Sequence, residues 1–232
     1  MWLCEHEQST HYDFTDINKP SPELYKHNRS LRNRNMLNPT HLQKTAKYKS
    51  QFKAKPFNHL SIKNFLHQNQ FQHIKKAVSK QKFRRYDSDL FQFSQTENLY
   101  LAKDKTINNF CDFFSSPQLV SWIAEITATK LLPKVDISAF LYKKNDYLLP
   151  HDDLIEEKTT TRKIAYIFYL STLNKNDGGT LDLYKQKKVA KSFMPQANTL
   201  MIFKVSSVSF HQVAEVLKNL KRYSITGWFH GD

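Results

Sequence analysis

After Pro133 six short apolar runs follow one another: "DISAFLY", "KIAYIFYL", "TLDLY", "NTLMIFKV", "SVSFHQV" and "RYSITGWF". They are rich in β-branched and aromatic residues and partly alternate with period two, which suits pleated strands. Polar breaks separate them, above all "NKNDGG" at 174 to 179. All four glycines of the chain, Gly178, Gly179, Gly227 and Gly231, lie in this region. Six or more short strands with such breaks, preceded by helices, predict an α+β protein whose core is a β-sandwich or jelly roll.

The helices lie upstream. A helix is expected over 63 to 80 and a stronger one over Phe110 to Lys130. In the latter, Pro117 suits a first turn and Leu119, Trp122, Ile123 and Ile126 recur at helical spacing. "PFNHLSIKNFL" at 56 to 66 is read as the start of the fold. Before it, Tyr25 to Lys55 carries nine Lys and Arg, no acidic residue and little apolar periodicity, with Pro39 and Pro56 as breakers. Residues 1–55 are therefore expected to form a basic, flexible N-terminal arm, and residues 56–232 the folded domain. The arm could tether RNA or a ribosome, or could be a solvated tail.

A formal charge of +14 and a pI near 9.6 favour an anionic partner, although lysine-rich surfaces also occur without one. The two cysteines, Cys4 and Cys111, are far apart, which excludes a disulfide scaffold or a zinc knuckle. The start "MWLCEHEQST" has no basic segment leading into an apolar one. No run of eighteen apolar residues occurs anywhere. The expectation is a soluble protein of a reducing compartment without a membrane partner, cytoplasmic, or nuclear in a eukaryote.

"LLPHDDLIEE" at 148 to 157 raises a metal question in this basic chain. His151 and Asp153, one residue apart, would leave the same face if they ended a strand, with Asp152 pointing away. His-x-Asp alone is a weak signal. His211, in a β-like run some sixty residues on, supplies a third donor. Two imidazoles and one carboxylate leave three positions of an ion open, a set that suits non-haem Fe(II) better than closed zinc. The plain alternative for His211 is a buried strand histidine held by a backbone carbonyl. Arg222 lies eleven residues later on the expected next strand, sharing a face with Ser224, Thr226 and Trp228. A guanidinium beside a hydroxyl can grip a carboxylate, either of a small dicarboxylate or in an internal salt bridge.

His-x-Asp, a distant His, then Arg-x-Ser on the following strand resembles the 2-oxoglutarate and Fe(II)-dependent oxygenases, built on a double-stranded β-helix. More narrowly, "LLPHDD", "RKIAYIFYLS", "DGGTLDLY", "PQANTLMIFKV", "SFHQVAEV" and "RYSITGWFHG" resemble the catalytic domain of prolyl hydroxylases that modify a small-subunit ribosomal protein. The likeness extends weakly upstream through "KPFNHLSIKNFL" and "DLFQFSQTENL". It implies Fe(II) on His151, Asp153 and His211, and the distal carboxylate of 2-oxoglutarate on Arg222. Tyr142, Tyr169 and Ser224 would lie around that cosubstrate, Trp228 would line the active site, and ascorbate is a candidate accessory reductant. The plain alternative for the tyrosines and Trp228 is aromatic core. The substrate implied is a ribosomal protein or an elongation factor.

Two departures stand out. Eukaryotic ribosomal prolyl hydroxylases of this kind carry a second, non-catalytic domain of the same fold, whereas this sequence stops just after "GWFHGD"; and the basic arm has no counterpart in them. Two other functions stay in play. A nucleic-acid demethylase of the same superfamily would suit the charge, but its pattern resembles Arg-x-Asn-x-Thr-x-Arg, where this chain has Ser224 and Trp228. A non-catalytic ribosome-binding module would be expected to have lost a ligand or the arginine.

Overall fold

The structure, a computed structural model, describes residues 36–154 and 161–232. Eleven strands are present among them: β1 His59–Lys63, β2 Arg84–Ser88, β3 Phe91–Gln95, β4 Ser138–Tyr142, β5 Tyr147–His151, β6 Arg162–Tyr169, β7 Leu181–Lys185, β8 Lys188–Phe193, β9 Thr199–Lys204, β10 His211–Val213 and β11 Arg222–His230. Four α-helices accompany them: α1 Thr45–Gln51, α2 Gln68–Ser79, α3 Lys105–Phe114 and α4 Pro117–Thr127. All strand pairs are antiparallel, in the order β1-β9-β6-β11-β4-β3-β5-β10-β7-β8, with β2 on β3.

The sheet curls into two halves, β4-β11-β6-β9 and β5-β10-β7-β8, joined by β3. Ser94 and Gln95 of β3 pair with β4, whereas Phe91 and Gln92 pair with β5. This is the double-stranded β-helix, or jelly roll, expected from the sequence. Strand β6 shows why "KIAYIFYL" is almost continuously apolar: both of its faces are covered. Ile164, Tyr166 and Phe168 pack into the helix-side core, with Phe168 stacked on Phe110 of α3 at 5.8 Å between ring centroids. Ala165, Ile167 and Tyr169 turn the other way, onto Leu181, Leu183, Met201 and Phe203 between the halves. Helices therefore seal one face, and chemistry is left to the inner one.

The expected helix at 110 to 130 is two helices. Ser115 and Ser116 interrupt it, the Ser116 hydroxyl accepts from Leu119 N–H at 3.3 Å, and Pro117 opens α4. The expected helix from 63 begins at Gln68, because His59 to Lys63 instead pair residue for residue with Phe203 to Thr199.

The boundary at 56 also moves. Residues 36–55 are folded: a 3-10 turn at Pro39–Lys44 leads into α1, which packs on α4. Tyr48 sets its ring edge-on to Trp122 at 6.1 Å, and the Trp122 indole donates to Thr45 Oγ1 at 3.0 Å. Buried His41 lies between the Tyr48 hydroxyl at 2.7 Å and the Asn64 carbonyl at 2.9 Å. Lysines hide this helix in the sequence, since Tyr48 and Phe52, one turn apart, are its main apolar signal. The remainder of the expected arm, residues 1–35, lies outside the described residues. Phe52 is 2% exposed. Phe52→Ala is accordingly expected to cost about 3 to 5 kcal/mol, read as a lower thermal midpoint. An unchanged midpoint would place α1 outside the cooperative fold.

Candidate metal and cosubstrate site

Strand register brings the site together. His151 ends β5 and stands directly opposite His211 of β10, with ring centroids 4.2 Å apart. Asp153 reaches them differently from the strand alternation expected: β5 stops at His151, and Asp153 has a positive φ of 65° that swings its carboxylate back. Its oxygens lie 3.4 Å from His151 Nε2 and 3.5 Å from His211 Nε2. Asp152 stays out of the cluster, its carboxylate accepting from Leu154 N–H at 3.1 Å. Glu156 and Glu157 lie outside the described residues.

Each imidazole is oriented for ligation. His151 Nδ1 faces the Leu149 carbonyl at 2.9 Å, and His211 Nδ1 faces the Ser209 carbonyl at 3.0 Å. A carbonyl only accepts, so Nδ1 carries the proton and Nε2 presents its lone pair. For His211 the carbonyl-held histidine and the metal-ready histidine are thus the same ring. Burial, reinforced by His151, pulls the His211 pKa down to about 4, which keeps the ring neutral. Burial also opposes charge on His151, but Asp153 overrides it and raises that pKa. Burial works against the Asp153 charge as well, yet His211 and then His151 hold its carboxyl well below the usual range. One donor atom from each of the three lies within 4.8 Å of the others. Donors each about 2.1 Å from a shared ion would be roughly 3 Å apart, close to the 3.4 and 3.5 Å that separate Asp153 from the two imidazoles.

Arg222 begins β11 opposite Tyr142 of β4, and Ser224 stands opposite Tyr169 of β6. The guanidinium carbon sits 4.9 Å from the Tyr142 ring centroid and 5.4 Å from that of Tyr169. Arg222 is 1% exposed, and its Nε donates to the Gly179 carbonyl at 2.9 Å. Among the described residues no carboxylate pairs with it, so the internal salt bridge is not formed. Arg222 Nη2, Tyr169 Oη and Ser224 Oγ are all buried without a hydrogen-bond partner. Burial, opposed by Arg222, pushes the Tyr169 phenol up to about 12, so it is a neutral donor. Orphaned buried polar groups cost about 1 to 3 kcal/mol each, and a carboxylate would satisfy several at once.

Trp228 packs at the inner cluster, with the Arg162 guanidinium 3.6 Å above its ring centroid. Two residues here escaped sequence reasoning. Arg162 opens β6 among polar neighbours and looks like any surface arginine. Gly179 was noted only as turn material. At φ +67°, a Cβ on it would lie 3.1 Å from Arg222 Cδ and 2.9 Å from Leu173 Cδ2. Gly179→Ala is therefore expected to destabilise by roughly 1 to 3 kcal/mol and to displace Arg222. Melting and cosubstrate KM together test this; both unchanged would mean that Gly179 does not set the arginine.

Residues 137–230 match the family described as the 2OG-Fe(II) oxygenase superfamily. They form a domain of that superfamily. The chain is 40% identical to prolyl 3-hydroxylase OGFOD1 of Xenopus laevis over 190 residues, 76% of this chain and 35% of that protein. It is 36% identical to prolyl 3-hydroxylase OGFOD1 of Mus musculus over 185 residues, 76% of this chain and 33% of that protein. It thus spans about a third of the length of these curated relatives. The fold is similar to that of a Pseudomonas putida prolyl-4-hydroxylase crystal structure, with a TM-score of 0.67 at 17% identity, covering 81% of this chain and 99% of that one. The superfamily uses Fe(II) and 2-oxoglutarate. The donor set of His151, Asp153 and His211 fits the ion, and the unpartnered groups around Arg222 fit the cosubstrate. No helix of the described residues is long and apolar enough to cross a membrane.

Proposed function

We propose that the chain is a protein-prolyl hydroxylase that uses Fe(II), 2-oxoglutarate and O2 and acts on a ribosomal protein or elongation factor. The observation that carries the reading is the pairing of a pre-oriented His-Asp-His donor set with a buried arginine whose Nη2 has no partner. The names of the curated relatives direct it to proline, and the +14 charge directs it to the translation machinery. When bound, Fe(II) would let one oxygen atom of O2 convert a substrate C–H into C–OH while 2-oxoglutarate loses CO2 and takes up the other oxygen atom to become succinate.

The chain's own residues bind and orient. His151, Asp153 and His211 would hold the metal through two imidazoles and one carboxylate, a donor set that suits Fe(II). Arg222 holds the distal carboxylate, Tyr169 and Ser224 donate to it, and Tyr142 walls the guanidinium. Trp228 with Arg162 borders the substrate side. Burial keeps water from the arginine clamp, which strengthens its grip. No general base is required, so Asp152 moves no proton. Ascorbate serves as accessory reductant, and the basic arm contacts ribosomal RNA.

Trp228 stands where the demethylase pattern carries its second arginine, which favours protein over nucleobase. Succinate release is expected to require Fe(II), 2-oxoglutarate and a proline-containing protein of the translation machinery. Release driven instead by a methylated oligonucleotide would make the enzyme a demethylase. No succinate release with either substrate would leave the non-catalytic module.

A further inference from the structure

The charge of this chain is segregated in a way the catalytic site does not use. Residues 36–86 contain no acidic residue, nor do residues 183–214, and together they hold seventeen of the 35 Lys and Arg. The fold brings the two stretches side by side. Strand β1 from the first pairs along its whole length with β9 from the second. Lys204 N–H donates to the Asn58 carbonyl at 3.0 Å, and Lys191 Nζ lies 3.1 Å from His59 Nε2.

The result is a lysine-bearing side made of the α1–β1 connection with Lys53 and Lys55, the end of β9 with Lys204, and the β7–β8 hairpin with Lys185, Lys188 and Lys191. All six are exposed, and among the described residues none of them forms an ion pair with a carboxylate. Lysines on β8 alone have an ordinary explanation, since β8 is a free sheet edge and lysine deters strand addition there. That explanation does not reach Lys53, Lys55 and Lys204, which lie outside β8. Uncompensated like charge over adjoining elements costs stability through self-repulsion and builds a strong local potential.

We propose that this side of the domain is a docking surface for the phosphate backbone of a nucleic acid. The surface stands on charge and topology and does not depend on the hydroxylase reading. Its exposed large hydrophobics are Val189, with Val208 and Phe210 on the loop after Lys204, set among lysines and serines, whereas a membrane-seated surface needs a broad apolar face to insert. The surface flanks the metal cluster. His151, His211, Leu183 and Lys191 are successive register partners across β5, β10, β7 and β8. With strands about 4.8 Å apart, the Lys191 backbone is roughly 10 Å from that of His211. A nucleic acid held here lies beside the catalytic opening, which suits a protein substrate that is itself bound to nucleic acid.

The test is fluorescence anisotropy of the full chain with a labelled 20-nucleotide single-stranded RNA, titrated across salt concentrations. Wild type is expected to bind with log K falling linearly in log salt. The triple variant Lys185→Glu, Lys188→Glu, Lys204→Glu should bind at least about tenfold more weakly at 0.1 M salt, with the slope reduced by about 2. A charge-matched control, Lys134→Glu, Lys143→Glu, Lys144→Glu, alters exposed lysines flanking β4 and should keep wild-type affinity and slope. Thermal melts establish that both variants are folded. Should the triple variant unfold, Lys53→Glu with Lys55→Glu replaces it, with the slope reduced by about 1.4. Absence of wild-type binding, or equal loss in surface and control variants, would overturn the proposal. So would tighter binding to phosphatidylserine vesicles than to RNA with the same lysine dependence, which would assign the surface to membranes.

Discussion

His151→Ala should abolish Fe(II) retention and turnover while leaving the fold intact. The side chain is one of three donors and ends an edge of β5 rather than filling the core: it is 32% exposed, against 6% for His211. Loss of even an outer partner of a metal ligand costs roughly 10 to 100-fold, so loss of a ligand should lower turnover by more than about 100-fold. Metal content after dialysis and succinate release read the two effects separately, and the melting midpoint without metal should stay near wild type. His211→Ala should cost as much activity but more stability, because that ring packs against Phe203 at 4.5 Å between centroids. Wild-type turnover in His151→Ala would show that the cluster does not hold the ion.

Arg222→Lys should be nearly as damaging to cosubstrate binding, although it preserves the charge. Lysine offers no planar fork, so it cannot keep the Gly179 carbonyl and grip a carboxylate in the same geometry. A hydrogen bond to a charged group contributes about 1.5 to 3 kcal/mol, so the KM for 2-oxoglutarate is expected to rise roughly 10 to 150-fold. Fe(II) affinity in the absence of cosubstrate should not change, since Arg222 pairs with Tyr142 on β4, far in strand order from β10. An unaltered KM would mean that the unpartnered Nη2 serves something other than 2-oxoglutarate.

The reach of the sequence differed from residue to residue, for physical reasons. The strands after Pro133 were legible because β6, β9 and β11 each bury apolar side chains on two faces, which leaves dense runs. Strands β2 and β8 were not, since their polar residues face solvent and only pairing holds them. Helix α1 was masked by its lysines. Within the site, the alternation of Arg222, Ser224 and Trp228 on β11 was readable as period two. The opposition of His151 to His211, and of Ser224 to Tyr169, was not, because register is settled by partners tens of residues away. Asp153 was singled out for a reason the backbone does not supply: its carboxylate arrives through a positive φ, not through strand alternation. The sequence marks Gly179 only as a turn residue and Arg162 as one more surface arginine, because their roles exist only against Arg222 and Trp228.

The most direct test of the central claim is the mass of a purified ribosomal protein or elongation factor incubated with this chain, Fe(II), 2-oxoglutarate and either ordinary or heavy oxygen gas. The account predicts a gain on one prolyl residue of about 16 Da with ordinary O2 and about 18 Da with the heavy isotope, absent with His151→Ala. A mass gain that appears equally with His151→Ala, or one that ignores the isotope of the gas, would contradict it.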